Sequence, residues 1–281
     1  MLREGRLREL QLGVNMNKIK TIIRKEWAEV FKNRMVIFTV AFLPLLMTAL
    51  PLGIIFATRD ASTGTGEAID SQLPSELTQS MCPQGLNGAE CFQVFMISEF
   101  MMLFMIVPVA IPVTIAAYSI VGEKTTRSLE PLLGTPITTI ELLIGKCLAA
   151  VIPAVLATYA AFGIFALGSW LIVANKMLLT ALLDARWLIA IFIVGPLLAV
   201  MAVTFSLMIS SRVSDPRVAE QVSMVIIVPV LAGFFGQMAG LFVLNKQVIS
   251  VVAVIMLALD ALLVYLATRF FQRESILTRW K

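Results

Sequence analysis

The sequence predicts an all-α protein that crosses a membrane six times. Hydrophobic residues fill 59% of its 281 positions and charged residues only 14%, whereas a soluble domain carries about 25% charged residues. The mean hydropathy of +0.90 is too high for a buried core alone, and the apolar residues are grouped in runs long enough to span a bilayer. Because histidine is absent and only three cysteines are present, we expect no metal site and no Ser-His-Asp catalysis.

The chain begins with two polar segments. Residues 1–16 form a tail without a hydrophobic pattern. Residues 17–34 predict an amphipathic helix with a basic face and an apolar face. The apolar face consists of Ile19, Ile22, Ile23, Trp27, Val30 and Phe31. Such a helix lies at the inner membrane surface, either as an elbow that touches a cytoplasmic partner or as a simple anchor.

Six apolar runs divide the predicted transmembrane region, residues 35–268. They cover residues 35–57, 100–122, 147–174, 187–211, 222–244 and 248–268. The first run, of 23 residues, would reach about 34 Å as a helix, which exceeds a hydrocarbon thickness of about 30 Å. Because only three residues separate the last two runs, that region forms either a tight turn or re-entrant half-helices near the outer face.

The distribution of basic residues predicts the orientation. With six spans, both termini lie on one side of the membrane. If that side is the cytoplasm, the inner segments hold 18 of the 22 lysines and arginines, including those of a basic tail at residues 269–281. The positive-inside rule therefore predicts cytoplasmic N- and C-termini. This topology explains the basic excess, so we expect the lipid bilayer and no nucleic acid as a partner.

The connection between the second and third runs predicts a short helix beneath the membrane. Its apolar face consists of Leu129, Leu132 and Leu133. Gly134 and Pro136 would end this helix, and Thr138 with Glu141 forms a capping box that begins the next one. A leucine face at the cytosolic surface needs a partner, either lipid or protein.

The same connection resembles the signature loop of ABC-2 type transporter permeases, the membrane subunits of ATP-binding-cassette exporters. The resemblance rests on Glu123, Lys124, Arg127, Ser128, Leu129, Glu130, Leu132, Leu133, Thr135 and Pro136, and it extends over the leader helix, the six spans and the tail motif at residues 271–277. In that family the loop carries a coupling helix that sits in a cleft of the ATPase subunit. By this resemblance the three leucines would dock, while Glu123, Arg127 and Glu130 would set the register by charge pairing.

The resemblance implies a cytoplasmic ABC ATPase as partner, with ATP and magnesium bound there and no cofactor on this chain. It also implies a homodimer or a pair with a second permease, efflux by alternating access, and residence in a prokaryotic inner or plasma membrane. The chain itself has no phosphate-binding loop. At Gly145-Lys146, Ile140 replaces the first glycine of that motif and Cys147 follows in place of serine or threonine. We therefore predict a transport subunit that is not an enzyme.

Three polar residues at membrane depth are candidates for a translocation path or gate: Asp260, Glu99 and Gln237. A carboxylate near the middle of the bilayer costs about 3 kcal/mol. Asp260 therefore either serves transport, as the site of an ion-coupled secondary transporter or of a substrate, or is a structural carboxyl bonded to Gln237, Thr204 or Tyr159. Glu99 is either a hydrated interfacial residue or an outer gate. A non-transporting scaffold is a further alternative.

Two further features concern the outer half of the protein. Cys82 and Cys91 share the first outer loop, where a disulfide would contribute about 2–3 kcal/mol. Gly233, Gly236 and Gly240 give the fifth run a face of small residues. That face packs either within one subunit or at the seam of a homodimer.

Overall fold

Every regular element of the protein is helical in the part of the chain that the structure describes. The structure is a computed structural model, and it describes residues 15–32, 34–58, 88–125, 137–173, 176–241 and 244–270. The all-α, six-span prediction is confirmed over these ranges. The predicted N-terminal tail up to residue 14, the outer loop with Cys82, the loop from Thr126 to Pro136 and the tail beyond residue 270 lie outside the described residues.

Eleven α-helices are present in the described ranges. They are α1 Met16–Val30, α2 Arg34–Thr58, α3 Gly88–Phe104, α4 Val107–Thr125, α5 Thr139–Ile172, α6 Lys176–Leu182, α7 Ala185–Ile189, α8 Gly195–Ser210, α9 Pro216–Ser223, α10 Val228–Met238 and α11 Lys246–Phe270. A π-helix at Ala190–Val194 joins α7 to α8, and a 3-10 helix at Met224–Ile227 joins α9 to α10.

Six helical stretches are long and apolar enough to cross a membrane. They are span 1 Val36–Thr58, span 2 Glu90–Ser119, span 3 Ile140–Ile172, span 4 Leu179–Ser210, span 5 Pro216–Met238 and span 6 Lys246–Arg269. Span 2 begins ten residues before the apolar run that the sequence shows. It is enclosed by the other helices, so polar residues such as Gln93 and Glu99 are buried in protein rather than exposed to lipid.

The predicted inner halves of spans 2 and 4 pack at the centre of the bundle. Helix α8 contacts α4, α5, α9 and α11. Two serine hydroxyls of α8 donate to backbone carbonyls of α4, Ser206 to Val113 at 3.4 Å and Ser210 to Ala117 at 3.0 Å. Small residues let helices approach closely in a membrane, where lipid removes the hydrophobic drive for association.

At the end of span 5, Gly240 has a different role from the packing role that the sequence predicts. Helix α10 ends in a Schellman motif, because Leu241 N–H donates to the Gly236 carbonyl and Gly240 N–H donates to the Gln237 carbonyl. Gly240 has a φ of 70°, so it caps the helix rather than forming part of a packing face. Gly233 does pack closely, since a Cβ there would overlap Met102. Among the described residues between α10 and α11 there is no re-entrant half-helix.

Candidate coupling site

The leader helix α1 packs along the first turns of α5, at the predicted inner end of the bundle. Three residues of its predicted apolar face are buried, namely Ile19, Ile22 and Val30. Contact is closest at Gly145 of α5, where an added Cβ would lie 2.9 Å from the Ile22 Cβ. Phe31 is 42% exposed. The apolar face of α1 therefore meets protein over most of its length.

A buried ion pair joins α1 to α5. The Lys146 Nζ lies 2.7 Å from the Glu26 Oε1, and the two side chains are 3% and 4% exposed. Lys146 also donates to the Ser119 hydroxyl at 2.8 Å and to the Ser119 carbonyl at 3.4 Å. The Ser119 hydroxyl donates in turn to the Glu26 Oε2 at 2.8 Å. All three ammonium donors are thus satisfied, and the cluster links α1, α4 and α5.

A second carboxylate anchors the beginning of α1. Glu141 completes the predicted capping box, because its Oε2 accepts from the Thr138 N–H at 2.9 Å and its N–H donates to the Thr138 hydroxyl at 3.2 Å. Its Oε1 accepts from the Asn15 N–H at 2.9 Å, and Lys18 lies 3.5 Å from Oε2. The capping box is confirmed, and the same side chain that begins α5 also holds the N-cap of α1.

Two further polar contacts hold these helices, one between α1 and α5 and one between α4 and α9. The Trp27 indole N–H donates to the Ala149 carbonyl at 2.9 Å. On the far side of α4, the Thr114 hydroxyl donates to the Glu220 carboxylate of α9 at 2.9 Å. Two carboxylates from different elements therefore hold α4, the helix that leads into the predicted coupling loop.

These contacts bracket the predicted coupling residues. Glu123 and Lys124 lie on the last turn of α4. The other predicted coupling residues, Arg127, Leu129, Glu130, Leu132, Leu133 and Pro136, lie outside the described residues. The described part of α4 ends at Thr125, a few residues after Ser119, and the description resumes at Ile137, next to the N-cap Thr138 of α5. The structure thus places a polar joint, formed by Glu26, Ser119, Lys146 and Glu141, at both ends of this segment.

Sequence reasoning missed three members of this joint. Glu26 follows Ile22 and precedes Val30 by four residues each, so a charge falls on the otherwise apolar face of α1. Lys146 immediately precedes the third apolar run in the sequence, although α5 already begins at Thr139. A carboxylate on one apolar face and a cation at the end of an apolar run were therefore the available signals. Ser119 had no signal of its own.

The polar residues at membrane depth form two groups. Glu99 and Gln237, on spans 2 and 5, are neighbours and are 5% and 1% exposed. Asp260, on span 6, lies near Cys147 of α5. All side-chain oxygens and nitrogens of Glu99, Gln237 and Asp260 lack hydrogen bonds within the described ranges.

Two of the three predicted structural partners of Asp260, Thr204 and Tyr159, bond elsewhere. Thr204 donates to the Val200 carbonyl at 2.8 Å, and Tyr159 donates to the Phe192 carbonyl at 3.3 Å. Cys147 is a free thiol, whereas Cys91 is disulfide-bonded. Across the described part of the chain, no cluster of acidic and cysteine side chains could hold a metal ion.

A protein-family model matches most of the chain. The family model described as ABC-2 family transporter protein matches residues 20–267, which is most of the chain. The matched region begins within α1 and ends within α11, so it includes the polar joint, the first five spans and most of the sixth. No curated protein matches the chain.

Removing one partner of the buried pair is expected to destabilise the protein strongly. Glu26→Gln or Lys146→Met leaves a buried charge uncompensated, a loss of about 3–5 kcal/mol, whereas the double variant Glu26→Leu/Lys146→Met recovers most of it. Lys25 and Glu29 of the same helix, 3.8 Å apart and 36% and 57% exposed, provide the control, since breaking an exposed pair costs at most about 1 kcal/mol. Thermal unfolding in detergent measures the loss of stability at the buried pair and at the exposed pair. Equal losses of stability for the two pairs would contradict the conclusion that the Glu26–Lys146 pair is buried and fully bonded.

The close contact at Gly145 gives an independent test of the α1–α5 interface. Gly145→Ala adds a Cβ against the base of the Ile22 side chain, so the unfolding temperature should fall even though alanine favours helix by about 1 kcal/mol over glycine. Gly163→Ala is the matched control, because the same helix has open space there. That variant should be neutral or stabilising. If both variants behave alike, α1 does not pack on α5 as described.

Proposed function

Because the chain belongs to the ABC-2 transporter family, we propose that it is the permease subunit of an ATP-driven exporter. Membership establishes a multi-pass membrane protein with a permease role in ABC transport. The finer proposal is that two permease chains, either identical or different, bind two cytoplasmic ATPase subunits that carry ATP and magnesium. The termini lie in the cytoplasm, and the membrane is the inner or plasma membrane of a prokaryote.

The observation that carries this proposal is the polar joint at both ends of the predicted coupling segment. Ser119 precedes that segment and Lys146 follows it, and both bond to Glu26 of α1. A force applied to the segment therefore acts on α4, α5 and α1 together. Only three residues separate the end of α1 from the beginning of α2, so the same force reaches span 1.

The mechanism follows from this arrangement. The ATPase subunits close on ATP and push the coupling helices, whose leucines Leu129, Leu132 and Leu133 sit in the ATPase cleft. Helix α1 and spans 2 and 3 move as a unit, because the buried charges keep their inner ends in register, and span 1 follows through its short connection to α1. The bundle then changes from inward-open to outward-open, and the substrate leaves on the outer side.

Leu132→Asp is expected to abolish docking of the ATPase. A charge in the apolar contact is desolvated without a partner. The measurement is co-purification and ATPase activity after co-expression with a candidate Walker-motif ATPase. Pro131→Asp is the matched control, because by helical spacing it adds the same charge to the same segment on the side away from the three leucines. If Leu132→Asp still assembles and hydrolyses ATP normally, the coupling assignment is wrong.

The Glu26→Leu/Lys146→Met variant separates binding from coupling. It keeps the docking leucines, so it should assemble with the ATPase and hydrolyse ATP. Without the buried pair, α1 can slide on α5, and substrate moved per ATP in proteoliposomes should fall at least several-fold. If the folded variant moves as much substrate per ATP as the parent protein, the polar joint contributes only to stability.

An ion-coupled transporter that uses Asp260 is the second candidate. The buried carboxylate without a hydrogen bond within the described ranges favours it. This function requires transport driven by a proton or sodium gradient in proteoliposomes that contain no ATP and no ATPase subunit. Such transport, lost in Asp260→Asn, would replace the proposal above.

A further inference from the structure

The outer half of the bundle contains a cavity of about 340 Å³. Spans 2, 4, 5 and 6 supply its walls, through residues such as Met102, Trp187, Gly233 and Met256. Every lining residue is apolar or glycine. The volume lies at the lower end of the range for ligand pockets, about 300–1,000 Å³. Protein interiors are otherwise close-packed, so a void of this size calls for an occupant.

The cavity opens between spans 5 and 6. Its lining residue Val252 of α11 is 38% exposed, and Pro229 of α10 is exposed as well. These two helices pack on different neighbours, because α10 contacts α3 whereas α11 contacts α8. A molecule dissolved in the membrane could therefore enter sideways.

Unsatisfied polar groups lie one helical turn beyond the apolar walls. Glu99 precedes Met102 on α3, and Gln237 follows Gly233 on α10. Met102 and Gly233 are in contact, and Glu99 and Gln237, about one turn further along the same two helices, are neighbours. Toward the inner end, Asp260 follows Met256 on α11. A buried polar group without a hydrogen bond is costly in a membrane, and a ligand would remove that cost.

We infer that this cavity binds an apolar molecule that carries an amine, with its apolar body among the methionines and its ammonium group at Glu99 and Gln237. The ammonium donates to the Glu99 carboxylate and to the Gln237 amide oxygen. A cation is favoured because Glu99 has no ion-pair partner among the described residues. As a statement about the transported substrate, this inference rests on the proposed function; as a statement about binding, it does not.

Three probes that share one apolar body test the inference. They are the brominated forms of 1-adamantylamine, 1-adamantanol and adamantane-1-carboxylate. The full chain, without an ATPase, is placed in phosphatidylcholine nanodiscs, and bromine quenching of tryptophan fluorescence is measured. Trp187 lines the cavity, whereas Trp170 is 64% exposed on α5. The amine should quench saturably and at least tenfold more tightly than the alcohol. The saturable signal should disappear in Trp187→Phe and persist in Trp170→Phe.

Variants distinguish the cavity from general partition into lipid. Val252→Phe narrows the cavity and should weaken amine binding at least tenfold. Val251→Phe is the control, because the neighbouring side chain is 58% exposed and does not line the cavity. Glu99→Gln should remove the preference for the amine over the alcohol while leaving alcohol binding intact.

Three outcomes would overturn the inference. Equal binding of the three probes to the parent protein and to Glu99→Gln would mean that the polar pair recognises nothing. Equal effects of the Val251 and Val252 variants would mean that the probes dissolve in lipid. Quenching of Trp187 by brominated phosphatidylcholine that the amine does not relieve would assign the cavity to a lipid tail. None of these outcomes bears on ATPase docking, which the co-purification assay tests separately.

Discussion

A buried ion pair between Glu26 and Lys146 holds together the elements through which this permease would receive work. Two charges in a low-dielectric site are stable only when their hydrogen bonds are complete. Ser119 completes them by accepting from lysine and donating to glutamate. An apolar contact of the same area could slide by a fraction of a turn. Three directional donors on one nitrogen instead fix the positions of α1, α4 and α5 relative to one another.

The contrast between the centre and the inner end of the bundle follows from the solvent. Within lipid, burying leucine against leucine gains little, so α4 and α8 associate through close backbone approach and serine-to-carbonyl hydrogen bonds. At the inner end, water competes for every polar group, and full burial of the charges is what makes their pairing strong. The polar joint is therefore held by buried charge, whereas the spans are held by close packing and serine hydrogen bonds.

The sequence was sufficient for the helical class, the six spans and the capping box at Thr138, because each depends on local pattern. Long apolar runs determine the spans, and the spacing of Thr138 and Glu141 determines the cap. Contacts between distant elements were not accessible in the same way. Glu26 and Lys146 are 120 residues apart, and only packing of α1 on α5 brings them together. The sequence did not distinguish the cap at Gly240 from a packing glycine, because both can occur at the same spacing.

The breaks in the spans connect the coupling joint to the membrane cavity. Span 2 loses its regular ladder at Met105 and Ile106, whose N–H groups bond to carbonyls three residues back. Span 4 is a π-helix at Ala190–Val194, and span 5 is a 3-10 helix at Met224–Ile227. Each break supplies residues to the cavity wall, among them Met105, Ala190 and Ile226. Helices bend most readily where the ladder is irregular. Displacement of the inner halves by a motor would therefore change the shape of the cavity first, without requiring the outer halves to move as far.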